Sequence, residues 1–293
     1  MVTSLVNKCV QGYINSEDGI PLFYRYYLCG KSRKTAILCL PGLTRNSKDF
    51  YNLAILLQKE RSIICFDFRG RGRSGFDPNW RNYKPEVYIR DVHTLLTVLN
   101  IEKVFVIGTS LGGVIAMGMG VAMPTLIKGV LLNDIGPNLS IEGFSAIKLY
   151  LNNKKTYKNW KEAAENLKFF FPTLGNYSSY DWVQIVKGSY IKSTDGRILQ
   201  NWDPKISKLI NKLDFTGIDL WPLFLSLRRF PLIVVRGEDS NVLSSTTFAE
   251  MVNVIPHIKA LSIPGVGHAP TLLEMIVLES LRGTLNEIDN SCI

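Results

Sequence analysis

Histidine is scarce in this chain, and cysteine is little used. Its three histidines stand far apart at positions 93, 257 and 268, and two of the five cysteines, Cys39 and Cys65, lie inside apolar runs typical of buried strands. A protein metal site needs several nitrogen, sulphur or oxygen ligands in one cluster. Because the sequence offers no such cluster, we expect no metal and no cofactor, and we expect the cysteines to be reduced packing residues.

Long apolar runs and grouped charges are also missing. No run approaches the roughly 18 residues of a membrane span, and residues 1–12 have neither the basic start nor the apolar stretch of a secretion signal. The net charge is +9, but the basic residues are scattered, whereas a nucleic-acid surface groups them on one face. We therefore expect a cytoplasmic protein that binds neither membrane nor nucleic acid. Whether it forms a homodimer is left open.

Short β-branched runs alternate with segments of helical period through most of the 293 residues. Two β-rich runs, at 10–15 and 20–28, stand first and read as a hairpin. Strands alternating with helices predict a mostly parallel α/β sheet of eight strands, covered on both sides, with the hairpin as an antiparallel edge. The six further predicted strands are 35–40, 62–68, 103–108, 128–132, 232–236 and 259–263. The predicted helices are 48–59, 85–99, 111–123, 246–254 and 271–285.

The alternation stops between residues 137 and 220, where helical patterns carry many aromatic residues. We interpret this segment as a helical cap inserted after the sixth strand and lying over the strand ends. The α/β core would then comprise residues 1–136 and 221–293. Most of the aromatic side chains are expected to form the cap's own small core, and the others favour a small-molecule substrate of apolar or aromatic character.

A glycine-flanked serine, Ser110, stands between a predicted strand and a predicted helix, in the Gly-Thr-Ser-Leu-Gly of residues 108–112. A sharp strand-to-helix turn strains the serine and brings backbone close on both sides, so that only glycine fits at the flanks. The serine hydroxyl is then exposed, and the Leu111 N–H is an unpaired donor directed to where an oxyanion forms. The bare pattern also arises by chance, but the strand and helix around it favour a functional interpretation.

The loop after the third strand, residues 40–45, is the expected source of a second oxyanion donor. Gly42 lets the backbone turn inward and leaves the Leu43 N–H as the candidate. An ordinary Pro-Gly turn is the competing interpretation. Arg45 is a candidate for binding a substrate carboxylate, with a surface salt bridge as its alternative.

Four segments together resemble the α/β-hydrolase superfamily, in its capped esterase and carbon–carbon-bond hydrolase branch. They are the Pro-Gly loop at 41–42, the run Asp-Phe-Arg-Gly-Arg-Gly-Arg-Ser-Gly at 67–75, the turn at Ser110 and the late Gly-Val-Gly-His-Ala-Pro at 265–270. The resemblance covers nearly the whole chain and implies that the 67–75 run is mainly structural. Pro41 departs from it, since many relatives have histidine there, but the backbone donor is unaffected.

A serine hydroxyl needs a base within hydrogen-bond reach, because it is a poor nucleophile at neutral pH. His268 follows a strand in a Gly-rich loop before the last predicted helix, where a base can fold back over the serine. His93 lies within a predicted helix and His257 just before a strand, so both are expected to be packing or surface residues. The candidate base is therefore His268.

Two aspartates compete for the role of the acid, which in this fold follows a strand between the serine and the histidine. Asp239 follows the strand 232–236, the commonest acid position among such proteins. Relatives usually have the acid three or four residues after the glycine, however, and here Ser240 and Asn241 stand there. Asp134 closes the sixth strand, and its Asp-Ile-x-Pro context resembles an esterase group. We favour Asp134 over Asp239, although turn formation or helix capping would also suit Asp134.

These residues predict a serine hydrolase that cleaves a small carboxylic ester through a Ser-His-Asp triad and an acyl-enzyme. A carbon–carbon-bond hydrolase acting on a diketone would use the same triad. A non-catalytic ligand-binding relative is the alternative from a different class. Dehalogenases and epoxide hydrolases of this fold need a carboxylate at the position of Ser110, which argues against both.

Overall fold

The computed structural model describes residues 8–291 except positions 31, 33, 139, 154, 155, 176 and 214–217. The first seven residues of the predicted core, and several positions of the predicted cap, lie outside the described residues. The strands are β1 (Lys8–Asn15), β2 (Pro21–Leu28), β3 (Ala36–Leu40), β4 (Ile63–Phe66), β5 (Val104–Thr109), β6 (Ile127–Asn133), β7 (Tyr190–Lys192), β8 (Ile198–Gln200), β9 (Leu232–Gly237) and β10 (Lys259–Ile263).

Helices follow most of these strands along the chain. They are α1 (Tyr51–Leu57), α2 (Pro85–Val98), α3 (Leu111–Ala122), α4 (Ile141–Asn152), α5 (Trp160–Phe170), α6 (Ser179–Ser189), α7 (Ile206–Lys212), α8 (Trp221–Leu225), α9 (Ser245–Val254) and α10 (Met275–Asn290). None of those described combines the length and the apolar character that crossing a bilayer requires.

Eight strands form the central sheet in the order β1-β2-β4-β3-β5-β6-β9-β10. From β4 to β10 all neighbours are parallel, whereas β2 pairs antiparallel with both β1 and β4. Every residue of β3 and β4 is buried, as expected for strands covered on both faces. The predicted eight-stranded, mostly parallel sheet with a leading antiparallel hairpin is confirmed.

The sheet separates two apolar cores, and successive strand residues alternate between them. Leu38 and Leu40 of β3 belong to the core that includes α2 and α3, whereas Ile37 and Cys39 belong to the core that includes α1 and α10. This period of two is what a pleated strand produces. Burial of each large aliphatic side chain contributes about 1.5–3 kcal/mol, so the central strands hold the sheet rigidly under the site.

Buried aromatic side chains hold together the segment between β6 and β9. The Tyr190 ring packs edge-on against Trp202 at 5.3 Å and against Tyr157 at 5.9 Å between ring centroids. These contacts agree with the expectation that most aromatics there form a core of their own. The β7–β8 hairpin was not predicted, because strands of three residues are too short to show a period of two. The division of the chain at residues 136 and 220 stays a prediction.

Arg69, in the 67–75 run, is fully buried among three carboxylates. It donates to both oxygens of Asp91 at 2.6 and 2.7 Å, to Asp77 at 2.6 Å and to Asp18 at 2.8 and 2.9 Å. These bonds join the β1–β2 turn, the loop after β4 and helix α2. The geometry agrees with the structural role that the resemblance implies for this run.

Replacing Asp91 by asparagine is expected to lower the free energy of unfolding by at least about 2 kcal/mol, because the buried Arg69 charge loses its bidentate partner. Urea denaturation followed by circular dichroism measures the change. Asp195→Asn is the matched control: Asp195 also binds an arginine, Arg197, but both side chains are largely exposed, so no measurable loss is expected. Equal losses in the two variants would contradict this account of Arg69.

Candidate active site

Ser110 occupies the sharp turn between β5 and α3. Its backbone has φ 52° and ψ −116°, a conformation that L-residues rarely adopt. The Ser110 N–H donates to the Asn133 carbonyl at the end of β6 (3.1 Å), and its own carbonyl accepts from Gly113 (2.8 Å) and Val114 (3.2 Å). The strand–serine–helix arrangement expected from the sequence is present, and these bonds fix the strained turn in place.

The glycines around Ser110 are required by close backbone contacts. A Cβ added to Gly108 would clash with the backbone of Gly112 and Gly113, and one added to Gly112 would clash with the Leu40 carbonyl. Only a residue without a side chain lets β5, α3 and the end of β3 approach so closely. This is the physical reason for the glycine flanks in the sequence.

His268 lies against the buried carboxylate of Asp134. Its Nδ1 is 2.7 Å from Asp134 Oδ2, and the aspartate side chain has no exposed surface. Asp134 also accepts from the Gly237 N–H at 3.0 Å and from the Ser240 hydroxyl at 2.5 Å. Three groups on two segments therefore contact the carboxylate: His268, and the Gly237 N–H and Ser240 hydroxyl at the end of β9.

Asp239, the alternative acid, lies on the exposed surface, and its backbone N–H donates to the Val266 carbonyl at 2.9 Å. Of the two candidates, the structure thus brings Asp134 to His268. The neighbouring Ser240 was not singled out from the sequence as a functional residue. A signal for it existed, since Ser240 stands where relatives usually place the acid, and its hydroxyl there donates to Asp134 instead.

The loop after β3, which carries the candidate Leu43 N–H, lies beside Ser110. The Gly42 carbonyl accepts from the Arg45 N–H at 3.1 Å. In a trans peptide the N–H points opposite to the carbonyl, so the Leu43 N–H is directed away from that bond. A Cβ added to Gly42 would lie 3.7 Å from Ser110 Cβ, which places this loop beside the serine. The Leu111 N–H stands at the first position of α3, where no intrahelical acceptor exists.

Arg71 supports the loop after β3 by a hydrogen bond, a role that the sequence did not reveal. Its buried guanidinium donates through Nε to the Leu43 carbonyl at 2.8 Å, and through Nη1 to the Tyr88 hydroxyl at 2.6 Å and the Arg69 carbonyl at 2.8 Å. The 67–75 run therefore contacts the site indirectly, through the backbone that carries a candidate oxyanion donor.

One cavity of about 400 Å³ joins these groups. Ser110 and His268 line it from the core, and the loop from Gly42 to Arg45 forms one edge. Apolar side chains of the segment after β6 also line it. These are Ile147, Tyr150, Leu167, Phe171, Leu174, Tyr177 and Ile185.

Arg45 lines the cavity, but three of its five N–H donors already have partners. It binds both carboxylate oxygens of Asp49, at 2.6 and 2.7 Å, and donates from Nη1 to the Ile185 carbonyl of α6 at 3.1 Å. The salt bridge, which was the alternative interpretation of Arg45, is present. This pairing argues against Arg45 as a free ligand for a substrate carboxylate.

The two other histidines lie away from Ser110. His93 is exposed on α2, and His257 is exposed with Nε2 3.2 Å from the Phe230 carbonyl. His257 lines a different cavity, together with residues at the start of β9. Within the described ranges of the chain, no group of three or more His, Cys, Asp or Glu side chains is placed to hold a metal ion.

A comparison with protein families finds a match to the alpha/beta hydrolase fold over residues 35–274. The chain belongs to the α/β-hydrolase family. This α/β hydrolase is 32% identical to the 3-hydroxybutyrate-oligomer hydrolase of Cupriavidus necator, over 81% of this chain and 84% of that protein. It is 25% identical to the 2-(acetamidomethylene)succinate hydrolase of Mesorhizobium japonicum, over 79% and 81% respectively.

Among solved structures, the α/β hydrolase is similar to an alpha/beta hydrolase from Novosphingobium aromaticivorans. The TM-score is 0.87 at 34% sequence identity, and the match covers 97% of this chain and 99% of the other. Because the match covers nearly all of both chains, it includes the segment after β6 as well as the sheet.

Proposed function

We propose that this α/β hydrolase cleaves carboxylic esters, with Ser110 as nucleophile, His268 as base and Asp134 as acid. The supporting observation is that the buried Asp134 carboxylate holds the His268 imidazole at 2.7 Å, and that His268 lines the same cavity as Ser110. A serine hydroxyl becomes a useful nucleophile when a nearby base is held in a single tautomer.

The mechanism is two-step acyl transfer. Ser110 Oγ attacks the ester carbonyl carbon and its proton passes to His268 Nε2, while Asp134 stabilises the imidazolium through Nδ1–H. The N–H groups of Leu43 and Leu111 hold the oxyanion. His268 then protonates the leaving alcohol, which leaves an ester between Ser110 and the acyl group. A water molecule that gives its proton to His268 attacks this ester, and His268 returns the proton to Ser110 Oγ as the acid departs.

Short esters of hydroxy acids are the substrate class that we propose. The relative from C. necator is named for 3-hydroxybutyrate oligomers, and the identity with it extends over most of both chains. A cavity of about 400 Å³ suits a small ligand, and its apolar wall suits the aliphatic part of such an ester. Both named relatives act on compounds that carry carboxylates.

Hydrolysis of the 3-hydroxybutyrate dimer tests this proposal, beside 4-nitrophenyl butyrate and a vinylogous diketone. We expect both esters to be cleaved, with kcat/KM for the better one of about 10⁴ M⁻¹ s⁻¹ or more. Cleavage of the diketone alone would favour the carbon–carbon-bond alternative. A non-catalytic ligand-binding protein would cleave none of the three, and a fluorophosphonate probe would leave its serine unlabelled.

Properties outside the site stay predictions. These are the cytoplasmic location, a small molecule as the partner, the lack of nucleic-acid and membrane partners, and the open question of a homodimer. Sedimentation of the purified protein decides the last of them.

A further inference from the structure

One edge of the cavity is cationic, and it belongs to the loop that carries a candidate oxyanion donor. Lys48 and the ion pair of Arg45 with Asp49 line the cavity that contains Ser110, and apolar side chains of the segment after β6 line it as well. Lys48 stands in the short 3-10 helix Ser47–Phe50, directly after this loop. A substrate whose ester lies at Ser110 therefore meets an edge of net positive charge, in which Lys48 is the cation outside the ion pair.

The two cations differ in the partners they already have. Arg45 donates to both oxygens of Asp49 and to the Ile185 carbonyl. Lys48, in contrast, has no carboxylate within 4.0 Å of its ammonium among the residues that the structure describes. An ammonium has three donors and no acceptor. Lys48 is thus the cation of this edge that is left for an anionic ligand.

The carboxylates in the neighbourhood of Lys48 are occupied. Arg45 takes both oxygens of Asp49, and two backbone N–H groups donate to Asp67 at 2.6 and 2.9 Å. Burial, together with the positive charge of Arg25, lowers the pKa of the Lys48 ammonium. Arg25, Arg45 and Lys48 thus lie near only two carboxylates, Asp49 and Asp67, whose oxygens already accept hydrogen bonds. Such an excess of positive charge attracts an anion.

We propose that Lys48 binds a free carboxylate of the substrate, so that this enzyme selects esters with an ionised acid end over their neutral counterparts. The assignment rests on the proposed ester hydrolysis at Ser110 and adds charge selection to it. An oligomer of a hydroxy acid has one such carboxylate at its end. Lys48 takes the role that the sequence suggested for Arg45, because the charge of Arg45 is already paired with Asp49.

The experiment compares the dimer and the trimer of 3-hydroxybutyrate, each as the free acid and as its methyl ester. The measured quantity is kcat/KM for cleavage of an internal ester, with products separated by chromatography. For the unmodified protein we expect kcat/KM to be about fivefold higher for the free acid than for its methyl ester, with either the dimer or the trimer as substrate. About 0.5 M salt should reduce this preference, because salt screens the charges. In Lys48→Gln the acid-to-ester ratio should fall to about one, and Lys48→Arg should retain most of it.

Lys59→Gln is the matched control, because it removes the same charge from an exposed lysine beyond the end of α1 and should leave the ratio unchanged. An unchanged ratio in Lys48→Gln, or an equal fall in Lys59→Gln, would overturn the assignment and leave the proposed function standing. If the unmodified protein cleaves none of the four compounds, the proposed function fails and the assignment falls with it.

Discussion

Replacing Ser110 by alanine is expected to lower kcat for ester hydrolysis by about 10⁴- to 10⁶-fold. The loss is this large because the acyl-enzyme can no longer form, and the remaining base and oxyanion donors can only assist direct attack by water. Initial rates with 4-nitrophenyl butyrate measure the change. The variant should also lose labelling by a fluorophosphonate probe, which reacts with an activated serine.

Two controls separate this loss from unfolding. Ser145→Ala removes a hydroxyl from an exposed position on α4, where it donates to the Ile141 carbonyl, and should leave kcat unchanged. The Ser110 variant itself should unfold at the same temperature as the unmodified protein, within a few degrees. Full activity in Ser110→Ala would rule out this serine as the nucleophile.

Replacing Asp134 by asparagine is expected to lower kcat by about 10³- to 10⁴-fold. Asparagine has nearly the same shape, so the packing around the fully buried side chain is retained. An amide that turns its NH₂ group toward His268 Nδ1 favours the tautomer with the proton on Nε2, which cannot accept the proton of Ser110. The loss should appear mainly in kcat, with little change in KM, because the substrate does not contact this carboxylate.

Asp239→Asn is the matched comparison for Asp134→Asn. Asp239 is exposed, and the same chemical change there should alter kcat by less than about twofold. A large loss in Asp239→Asn together with a small one in Asp134→Asn would reverse the assignment of the acid. It would also mean that the hydrogen bond between Asp134 and His268 serves structure alone.

Much of the core fold was predictable because its signals are local. The buried strands β3 and β4 are apolar runs, and the turn at Ser110 is flanked by Gly108 and Gly112, which close packing demands. The start of the last helix was predicted less accurately. We expected the helix from residue 271, but α10 begins at Met275. Residues 271–273 line the cavity instead, so their apolar character reflects the site rather than a helical face.

The acid was harder to assign, because both candidates follow strands of the same sheet. Asp134 follows β6 and Asp239 follows β9, and these strands are direct neighbours. The order of elements in the sequence therefore places both carboxylates at the same edge of the sheet and does not decide between them. Which of them reaches His268 depends on the path of the loop after β9, whose Ser240 hydroxyl and Gly237 N–H both donate to Asp134.

The sequence by itself determined the order of strands and helices in the core, the strained serine turn and the candidate base, because each depends on residues that are close in the chain or on the scarcity of histidine. Only the tertiary structure decided which partner each charged side chain of the site has. Asp134 meets His268 across 134 residues, and Arg45 meets the Ile185 carbonyl across 140. Such partners are set by the folding of distant segments onto one another, and they leave Lys48, rather than Arg45, with donors directed to no carboxylate of the described chain.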